Sequence, residues 1–294
     1  MVGRIRGRAC AATAIGALAL AGFAGCGGDD EAGGGGEIIA TKPAALKITA
    51  TGDPKAPTYQ APAAEVPTGV VEISFTNNTK AGTDAQLVSI DGEHSDADVV
   101  AELKKAVQNK GVADWFHATG GVGGTEPGKT GTVTQVLEPG TYYVLGGEKP
   151  PPGPPTKFEV AAEEEGVLPT LPQTGGKISA SEYVFGGTGL KAGQSKLTLG
   201  NGGQQWHHFL AAPLNPGATL ADAKKFLMSD GRPEGPPPFS EKGGFQSAVL
   251  DGGLSQVVDV DLKAGRYVFF CFIADRQGGP PHVAKGMVSE IKVP

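Results

Sequence analysis

The chain has 294 residues, a length that favours about two domains over one. Its 47 glycines and 23 prolines, against only 6% aromatic residues, favour short strands and turns rather than long helices. The net charge of −6, without any basic run, argues against nucleic acid as a partner.

The first 26 residues have the pattern of a bacterial export signal. Three arginines form a positive start, and residues 9–25 are apolar and rich in small side chains. The segment ends in Phe-Ala-Gly before Cys26, which resembles the lipobox of bacterial lipoproteins with Phe where Leu is usual. The sequence therefore predicts a lipoprotein signal peptide over residues 1–26, with Cys26 lipidated. A plain secretory peptide, cleaved nearby, is the alternative.

Lipidation would anchor the protein to a membrane outside the cytoplasm, at the cell surface or in the periplasm. No later segment is long and apolar enough to span a bilayer. Of the three cysteines, Cys10 leaves with the signal and Cys26 carries lipid. Cys271 is then the one thiol of an exported protein, where free thiols are oxidised. Metal ligation would explain this residue, and a buried inert cysteine is the alternative.

Composition divides the rest of the chain. Residues 27–37 are acidic and Gly-rich, which predicts a flexible tether. Two copies of one strand pattern follow, at residues 38–162 and 177–294. The acidic, Pro-containing segment 163–176 between them is interpreted as a linker.

Both copies show the same order of elements. An alternating strand ends at an Asn turn, and a second strand follows it. A helix then begins behind a Ser or Thr cap with an acid three residues later, and a Gly-rich loop comes next. The first strands are residues 70–79 and 195–203, and the second strands are residues 85–90 and 208–214. The first helix is capped by Ser95 with Asp98 and is expected to stop by Gly111. The second helix is capped by Thr219 with Asp222 and is expected to stop by Gly231.

The end of each copy carries a shared motif, Leu-x-x-Gly-x-Tyr, at residues 137–142 and 262–267. It resembles the tyrosine corner of Greek-key sandwiches, in which the Tyr hydroxyl bonds to the backbone of a turn. A closing strand follows in both copies. The sequence therefore predicts an all-β protein of two tandem Greek-key β-sandwich domains, each with one inserted short helix.

Three metal donors lie close together near the C-terminus, in the pattern Cys271-x10-His282-x4-Met287. A thiolate, an imidazole and a thioether are soft to borderline ligands that suit copper. A mononuclear copper site of this kind needs a second imidazole. Either His207 or His208 supplies it, because strand alternation allows only one of two neighbours to face the site.

Taken together, residues 177–294 resemble the cupredoxin family, the plastocyanin and azurin type of blue copper protein. The resemblance depends on Asn201 and its following histidines, on the tyrosine corner, and on the Cys, His and Gly-Met of the last hairpin. It implies one type 1 copper centre with ligands His207, Cys271, His282 and Met287, and with His208 as the alternative to His207.

The resemblance also implies outer-sphere electron transfer with a redox partner that the sequence does not name. An apolar shell of phenylalanines would surround the site, and His282 would lie beneath an apolar docking patch. The shell residues are Phe209, Phe269, Phe270 and Phe272.

The first copy lacks these donors. Its Gly140-x-Tyr142 aligns with the second corner so that Gly146 stands at the place of Cys271, and no His follows Asn77 in the next strand. We therefore expect a cupredoxin-like domain without copper over residues 38–162.

The sequence predicts a membrane-anchored electron carrier outside the cytoplasm rather than an enzyme. A multicopper oxidase needs many histidines, and the chain has five. Two-domain nitrite reductases place a His directly before the ligand Cys, where this chain has Phe270. A copper-delivery protein and a metal-free interaction module are the alternatives.

Overall fold

The computed structural model describes residues 42–146, 155–162, 170–229, 235–240 and 242–294. The predicted signal peptide, Cys26 and the tether lie outside these residues, as do residues 163–169 of the predicted linker. Within the described ranges, no helix is long and apolar enough to cross a membrane.

The first half is built almost entirely of strands. Its elements are β1 (Ala44–Thr51), β2 (Thr58–Gln60), β3 (Gly69–Asn77), β4 (Thr83–Ile90), α1 (Asp96–Val107), β5 (Phe116–Thr125), β6 (Thr130–Leu137), β7 (Gly140–Leu145) and β8 (Thr156–Val160).

The second half has the same order of elements, with a short 3-10 helix added before its last strand. They are β9 (Gly176–Ser181), β10 (Val184–Thr188), β11 (Gly193–Asn201), β12 (Leu210–Pro213), α2 (Leu220–Leu227), β13 (Phe245–Gln246), β14 (Ser255–Leu262), β15 (Gly265–Phe270), a short 3-10 helix (His282–Lys285) and β16 (Val288–Val293).

Strand pairing repeats between the halves. The first half pairs its strands in the orders β2-β1-β3-β6 and β5-β4-β7-β8, and the second half in the orders β10-β9-β11-β14 and β13-β12-β15-β16. In both, the first strand runs parallel to the third, as β1 with β3 and β9 with β11. The predicted all-β fold of two tandem sandwiches, each with one short helix, is confirmed.

One sheet continues across both halves. Strand β6 pairs antiparallel with β14, from Val133 opposite Val258 to Gln135 opposite Gln256. The result is an eight-stranded sheet in the order β10-β9-β11-β14-β6-β3-β1-β2. Lys42–Pro294 therefore forms one compact unit. The domain boundaries at residues 162 and 177 stay a prediction.

Alternating burial explains why these segments form strands. In β1 the side chains of Leu46, Ile48 and Ala50 are buried while their neighbours are at least partly exposed. The pleat turns successive side chains to opposite faces, so this period of two suits a sheet with one face in the core.

Both predicted capping boxes are present. The Ser95 side chain accepts a hydrogen bond from the Asp98 amide, and the Asp98 carboxylate accepts one from the Ser95 amide. Thr219 and Asp222 do the same in α2. Helix α1 ends at Val107, before the expected Gly111, and Asn109 adopts a left-handed conformation with φ 56° just beyond it. Asn tolerates that conformation, so no glycine is needed there.

The sequence predicts a loop for the Gly-rich stretch after α1, and this prediction is wrong. It forms most of strand β5. A side chain at Gly121 would collide with the backbone of Ala85, and one at Gly123 with the backbone of Gln246. These glycines therefore permit two close backbone approaches, a recognised role of glycine within strands.

The two tyrosine corners are confirmed. The hydroxyl of Tyr142 accepts a hydrogen bond from the Glu138 amide over 3.2 Å. The hydroxyl of Tyr267 accepts one from the Lys263 amide over 3.0 Å. Each corner fixes the start of a penultimate strand, and the second corner thereby sets the path of β15 toward Cys271.

Candidate metal centre

Three segments of the second sandwich bring its candidate ligands together. Cys271 follows the last residue of β15, and His282 opens the 3-10 helix in the next connection. His207 lies between β11 and β12. Its backbone is fixed by two hydrogen bonds with Leu250, of 3.0 Å from the His207 amide and 2.8 Å to the His207 carbonyl.

The donor atoms of these three residues converge inside the protein. The Cys271 Sγ lies 3.5 Å from Nδ1 of His282, and that atom lies 3.1 Å from Nδ1 of His207. All three residues are 0% exposed. In the part of the chain that the structure describes, this is the one group of His, Cys, Asp or Glu side chains placed to hold a metal ion.

Burial controls the protonation of this group. It raises the pKa of the Cys271 thiol to about 12. Burial, followed by the proximity of His282, lowers the pKa of His207 to about 4. Burial also lowers the pKa of His282, and a hydrogen bond with Asp275 opposes that shift. Both imidazoles are therefore neutral at pH 7, with lone pairs available to a cation.

The donor set fits one copper ion. Two neutral imidazoles and a thiol, in an enclosed apolar surrounding, are the ligands expected of a mononuclear blue-copper site. Because the thiol is protonated in the metal-free protein, binding must release its proton. His207, Cys271 and His282 would then hold the cation.

Met287 lies next to this group in the chain and in the core. It is fully buried in the same hydrophobic cluster as Cys271. Its amide donates a hydrogen bond of 2.9 Å to the carbonyl of His282, which ties the first residue of the 3-10 helix to the residue before β16. Its role as a weak axial ligand stays a prediction.

The neighbouring histidine, His208, has a different partner. Its Nε2 accepts a hydrogen bond of 2.8 Å from the backbone amide of Phe272, the residue after the candidate thiolate. Burial lowers the pKa of His208 to about 3, so this ring is a neutral acceptor. The geometry therefore favours His207 as the ligand, and which ring binds copper stays a prediction.

The sequence patterns did not predict a polar cluster that lies beside His282. Nε2 of His282 lies 2.9 Å from Oδ1 of Asp275. The Asp275 carboxylate also accepts hydrogen bonds from the hydroxyl of Tyr183, over 3.0 Å, and from the amine of Lys285. The Tyr183 ring packs edge-on against the imidazole, with 5.2 Å between centroids. Asp275 is the only acid in the ten-residue Cys-to-His loop, and that was the available signal.

This cluster changes the expected surface at His282. Although partial burial would raise the pKa of Asp275, hydrogen bonds from Lys285, His282 and Tyr183 lower it. Asp275 is therefore a carboxylate at neutral pH. The outer nitrogen of His282 meets this anion rather than an apolar patch.

The phenylalanine shell is present in part. Phe209 and Phe269 are buried in the same hydrophobic cluster as Cys271, whereas Phe270 is buried in a separate cluster and does not belong to the shell. Phe272 is 44% exposed, so its assignment to the shell is wrong. Strand β15 ends at Phe270, and the Phe272 ring packs against the Phe270 ring with 5.4 Å between centroids.

In the first sandwich, the place that corresponds to the candidate metal centre is filled by the phenol of Tyr59. The side-chain amides of Asn77 and Asn201 make equivalent pairs of hydrogen bonds to backbone carbonyls. Counting six residues onward from each Asn sets Thr83 opposite His207. The Tyr59 hydroxyl lies 3.3 Å from the Thr83 hydroxyl and donates a 2.6 Å hydrogen bond to the Asp84 carbonyl. It also abuts Gly146, the residue after β7, where a side chain would collide with it.

Comparison with known proteins returned structural similarity alone. No protein-family model matches the chain, and no curated protein matches it. Among solved structures, the fold is similar to reduced auracyanin from the photosynthetic bacterium Roseiflexus castenholzii, at 20% identity and TM-score 0.26, covering 40% of this chain and 94% of that one.

Two further solved structures are similar over different lengths. An azurin from Methylomonas sp. strain J matches at 14% identity and TM-score 0.24, covering 40% of this chain and 95% of its own. A copper nitrite reductase from Nitrosomonas europaea matches at 15% identity and TM-score 0.23, covering 86% of this chain and 94% of its own. Strand pairing and side-chain contacts, rather than these low-scoring similarities, define the fold and the site.

Proposed function

We propose that this protein is a type 1 copper protein that carries single electrons outside the cytoplasm. The observation that carries the proposal is the convergence of Cys271 Sγ with Nδ1 of His207 and of His282 in a fully buried position. Neutral nitrogen donors and an ionisable sulfur are better ligands for copper than for hard cations.

The surrounding residues would make electron transfer possible without ligand rearrangement. A bound copper ion supplies a reversible one-electron change. The two imidazoles are held by backbone bonds at His207 and by Asp275 at His282. Buried aromatic rings exclude water from the site, and Met287 lies within the same core. A rigid ligand set would limit rearrangement between the two oxidation states, and the apolar surrounding would favour the less charged Cu(I) and raise the reduction potential.

Electron carriage is favoured over copper delivery by the burial of the donors. A delivery protein must pass its ion to another protein, and all three donors are 0% exposed. A carrier needs only close approach of a partner to the rim of the site.

Among the described residues, no second group of His, Cys, Asp or Glu side chains is placed to hold a metal ion. The two remaining histidines are engaged elsewhere: His94 stacks on Trp115 with 3.7 Å between ring centroids, and His117 binds Asp91 and Asp251. The residue before Cys271 is Phe270, which offers no bridge to another copper.

The test is to load the protein from Gly27 onward with Cu(II), since this form retains the whole compact unit Lys42–Pro294. We expect one copper per chain and an intense visible sulfur-to-copper charge-transfer band. The band should vanish in Cys271→Ser. A colourless loaded protein, or a band that survives this substitution, would refute the proposal.

Membrane attachment through Cys26 is a second part of the proposal, supported by the lipobox-like sequence before it. Two or more acyl chains would hold the protein firmly. The full chain should appear in the membrane fraction and incorporate labelled fatty acid, whereas Cys26→Ser should be released unlabelled. Equal label in both forms would remove the lipoprotein assignment and leave the copper assignment untouched.

A further inference from the structure

The loop that connects Cys271 to His282 is paired with a segment of the first half. The Gly279 amide donates a hydrogen bond of 3.0 Å to the carbonyl of Asn109, and the Val112 amide donates one of 2.9 Å to the carbonyl of Arg276. Between these two bonds, Lys110 and Gly278 form an antiparallel bridge. The segment 109–112 and the loop segment 276–279 therefore form a short ladder, although they belong to different repeats.

Glycines on both sides allow this ladder to form. A side chain at Gly111 would place its Cβ 2.8 Å from the carbonyl oxygen of Gln277. Gly278 has a positive φ of 85°, and a Cβ there would lie 2.6 Å from the amide nitrogen of Gly111. Two backbones in such contact leave no room for a substituent, so the approach of the loop to the first half is built into both sequences.

The side chain of Arg276 extends the contact deeper between the halves. Its guanidinium donates to the Asp251 carboxylate over 2.8 Å and to the carbonyl of Phe116 over 3.0 Å. It also lies 5.0 Å from the ring centroid of Trp206, the residue before His207. The arginine side chain is only 13% exposed, and charge-assisted bonds of this kind are the stronger ones.

The first-half segment has a support of its own. Glu102 of α1 is a buried carboxylate, 6% exposed, that accepts a hydrogen bond of 2.9 Å from the Ala113 amide and one of 2.6 Å from Lys105. The bond to Ala113 attaches the segment that follows residues 109–112 to helix α1. The surface that meets the loop is therefore itself held in place.

The loop contacts the ring of His282 through the side chain of Asp275. Asp275 precedes Arg276 and lies 2.9 Å from Nε2 of His282. We propose that the first half, which lacks the copper donors, is a positioning element. It holds the loop 275–279 so that Asp275 orients His282 toward His207 and Cys271. This inference rests on the proposed copper centre.

The decisive variant is Gly111→Ala, which displaces the loop without touching any ligand. Gly175→Ala is its matched control, because a Cβ there meets nothing within 4 Å and neither glycine has a positive φ. In the copper-free protein, we expect Gly111→Ala to raise hydrogen exchange of the loop amides at 272–279 by about tenfold. The control should match wild type.

The same pair of variants is then loaded with copper. We expect copper to dissociate about tenfold faster from Gly111→Ala, with an altered charge-transfer band and copper hyperfine coupling in electron paramagnetic resonance. A purely structural contact would lower the melting temperature and leave the spectrum of the folded protein unchanged. Identical loop exchange and identical spectra in the two variants would overturn the inference.

A second variant guards against misfolding of the first. Arg276→Gln keeps the backbone ladder and removes the guanidinium group. Its control is Arg266→Gln, which removes an exposed ion pair between Arg266 and Glu290. We expect loop exchange and copper release to rise in Arg276→Gln alone. If wild type shows no charge-transfer band, the proposed function fails. The exchange comparison then still shows whether the first half holds the loop.

Discussion

The backbone amide of Phe272 donates a hydrogen bond to Nε2 of His208, over 2.8 Å. The ring of His208 is thus bound to the residue that follows the candidate thiolate, while the ring of His207 faces the thiol group. We expect His207→Ala to abolish the charge-transfer band of the copper-loaded protein. His208→Ala should keep a shifted band and lose about 1–3 kcal/mol of stability, because the Phe272 amide is left unpaired in the interior.

Visible spectra and chemical unfolding of the two variants separate these effects. His208→Asn serves as the control, since its side chain retains a hydrogen-bond acceptor. A colourless His208→Ala beside a coloured His207→Ala would reverse the ligand assignment.

Acid should destabilise the copper-free protein in a defined range. The pKa of His207 is lowered to about 4 and that of His208 to about 3, chiefly by burial, whereas an unfolded histidine titrates near 6.5. The unfolded chain therefore binds protons that the folded chain does not, and stability falls as pH drops below about 6.5 toward these lowered values. The expected slope approaches about 1.4 kcal/mol per pH unit for each ring.

Urea unfolding between pH 4 and pH 7 measures this slope, and the variant His208→Asn should show a shallower one. A free energy of unfolding that stays level across this range would contradict the buried, neutral state of the two rings.

The carboxylate of Asp275 should tune the potential of the bound copper. Asp275→Asn retains the size of the side chain and removes a negative charge beside His282. The more highly charged Cu(II) state loses more from that removal than Cu(I), so we expect the reduction potential to rise. A tenfold shift in the redox equilibrium corresponds to about 59 mV.

Spectroelectrochemical titration gives this potential directly. Asp259→Asn provides the comparison, because Asp259 forms an exposed ion pair with Lys196 away from the site. Equal potentials in both variants would show that Asp275 does not act on the metal.

Tyr59 should matter to the first sandwich and not to the copper. Tyr59→Phe removes the hydroxyl that donates to the Asp84 carbonyl over 2.6 Å. We expect a loss of about 1 kcal/mol in the free energy of unfolding, typical of one buried hydrogen bond. The charge-transfer band and the copper stoichiometry should stay as in wild type, and a change in either would link the phenol to the metal centre.

Local patterns were enough to predict much of this molecule. The capping boxes at Ser95 and Thr219 and the corner at Tyr267 involve residues at most four apart, and the structure contains all three. The Cys-x10-His-x4-Met spacing predicted donors on one hairpin, because a strand and its return bring such residues together. The chemistry of the donors then pointed to copper.

The remaining features depend on contacts between distant residues. The hydroxyl of Tyr183 reaches Asp275 across 92 positions of sequence. Arg276 bonds to the carbonyl of Phe116 across 160 positions. No periodicity or short motif encodes such pairs, since they depend on how two sandwiches pack. The sequence did not predict strand β5 for another reason. Its glycines have low strand propensity, and they are present because other backbone segments approach the strand closely.

The pairing of β6 with β14 has a consequence for any attempt to study one half alone. If the halves were separated, each of these strands would become the edge of a four-stranded sheet, with a row of unpaired amides and carbonyls. Exposed edges of this kind recruit other chains and promote aggregation. An isolated C-terminal fragment would thus be prone to self-association for reasons unrelated to its metal, and its insolubility would say nothing about copper.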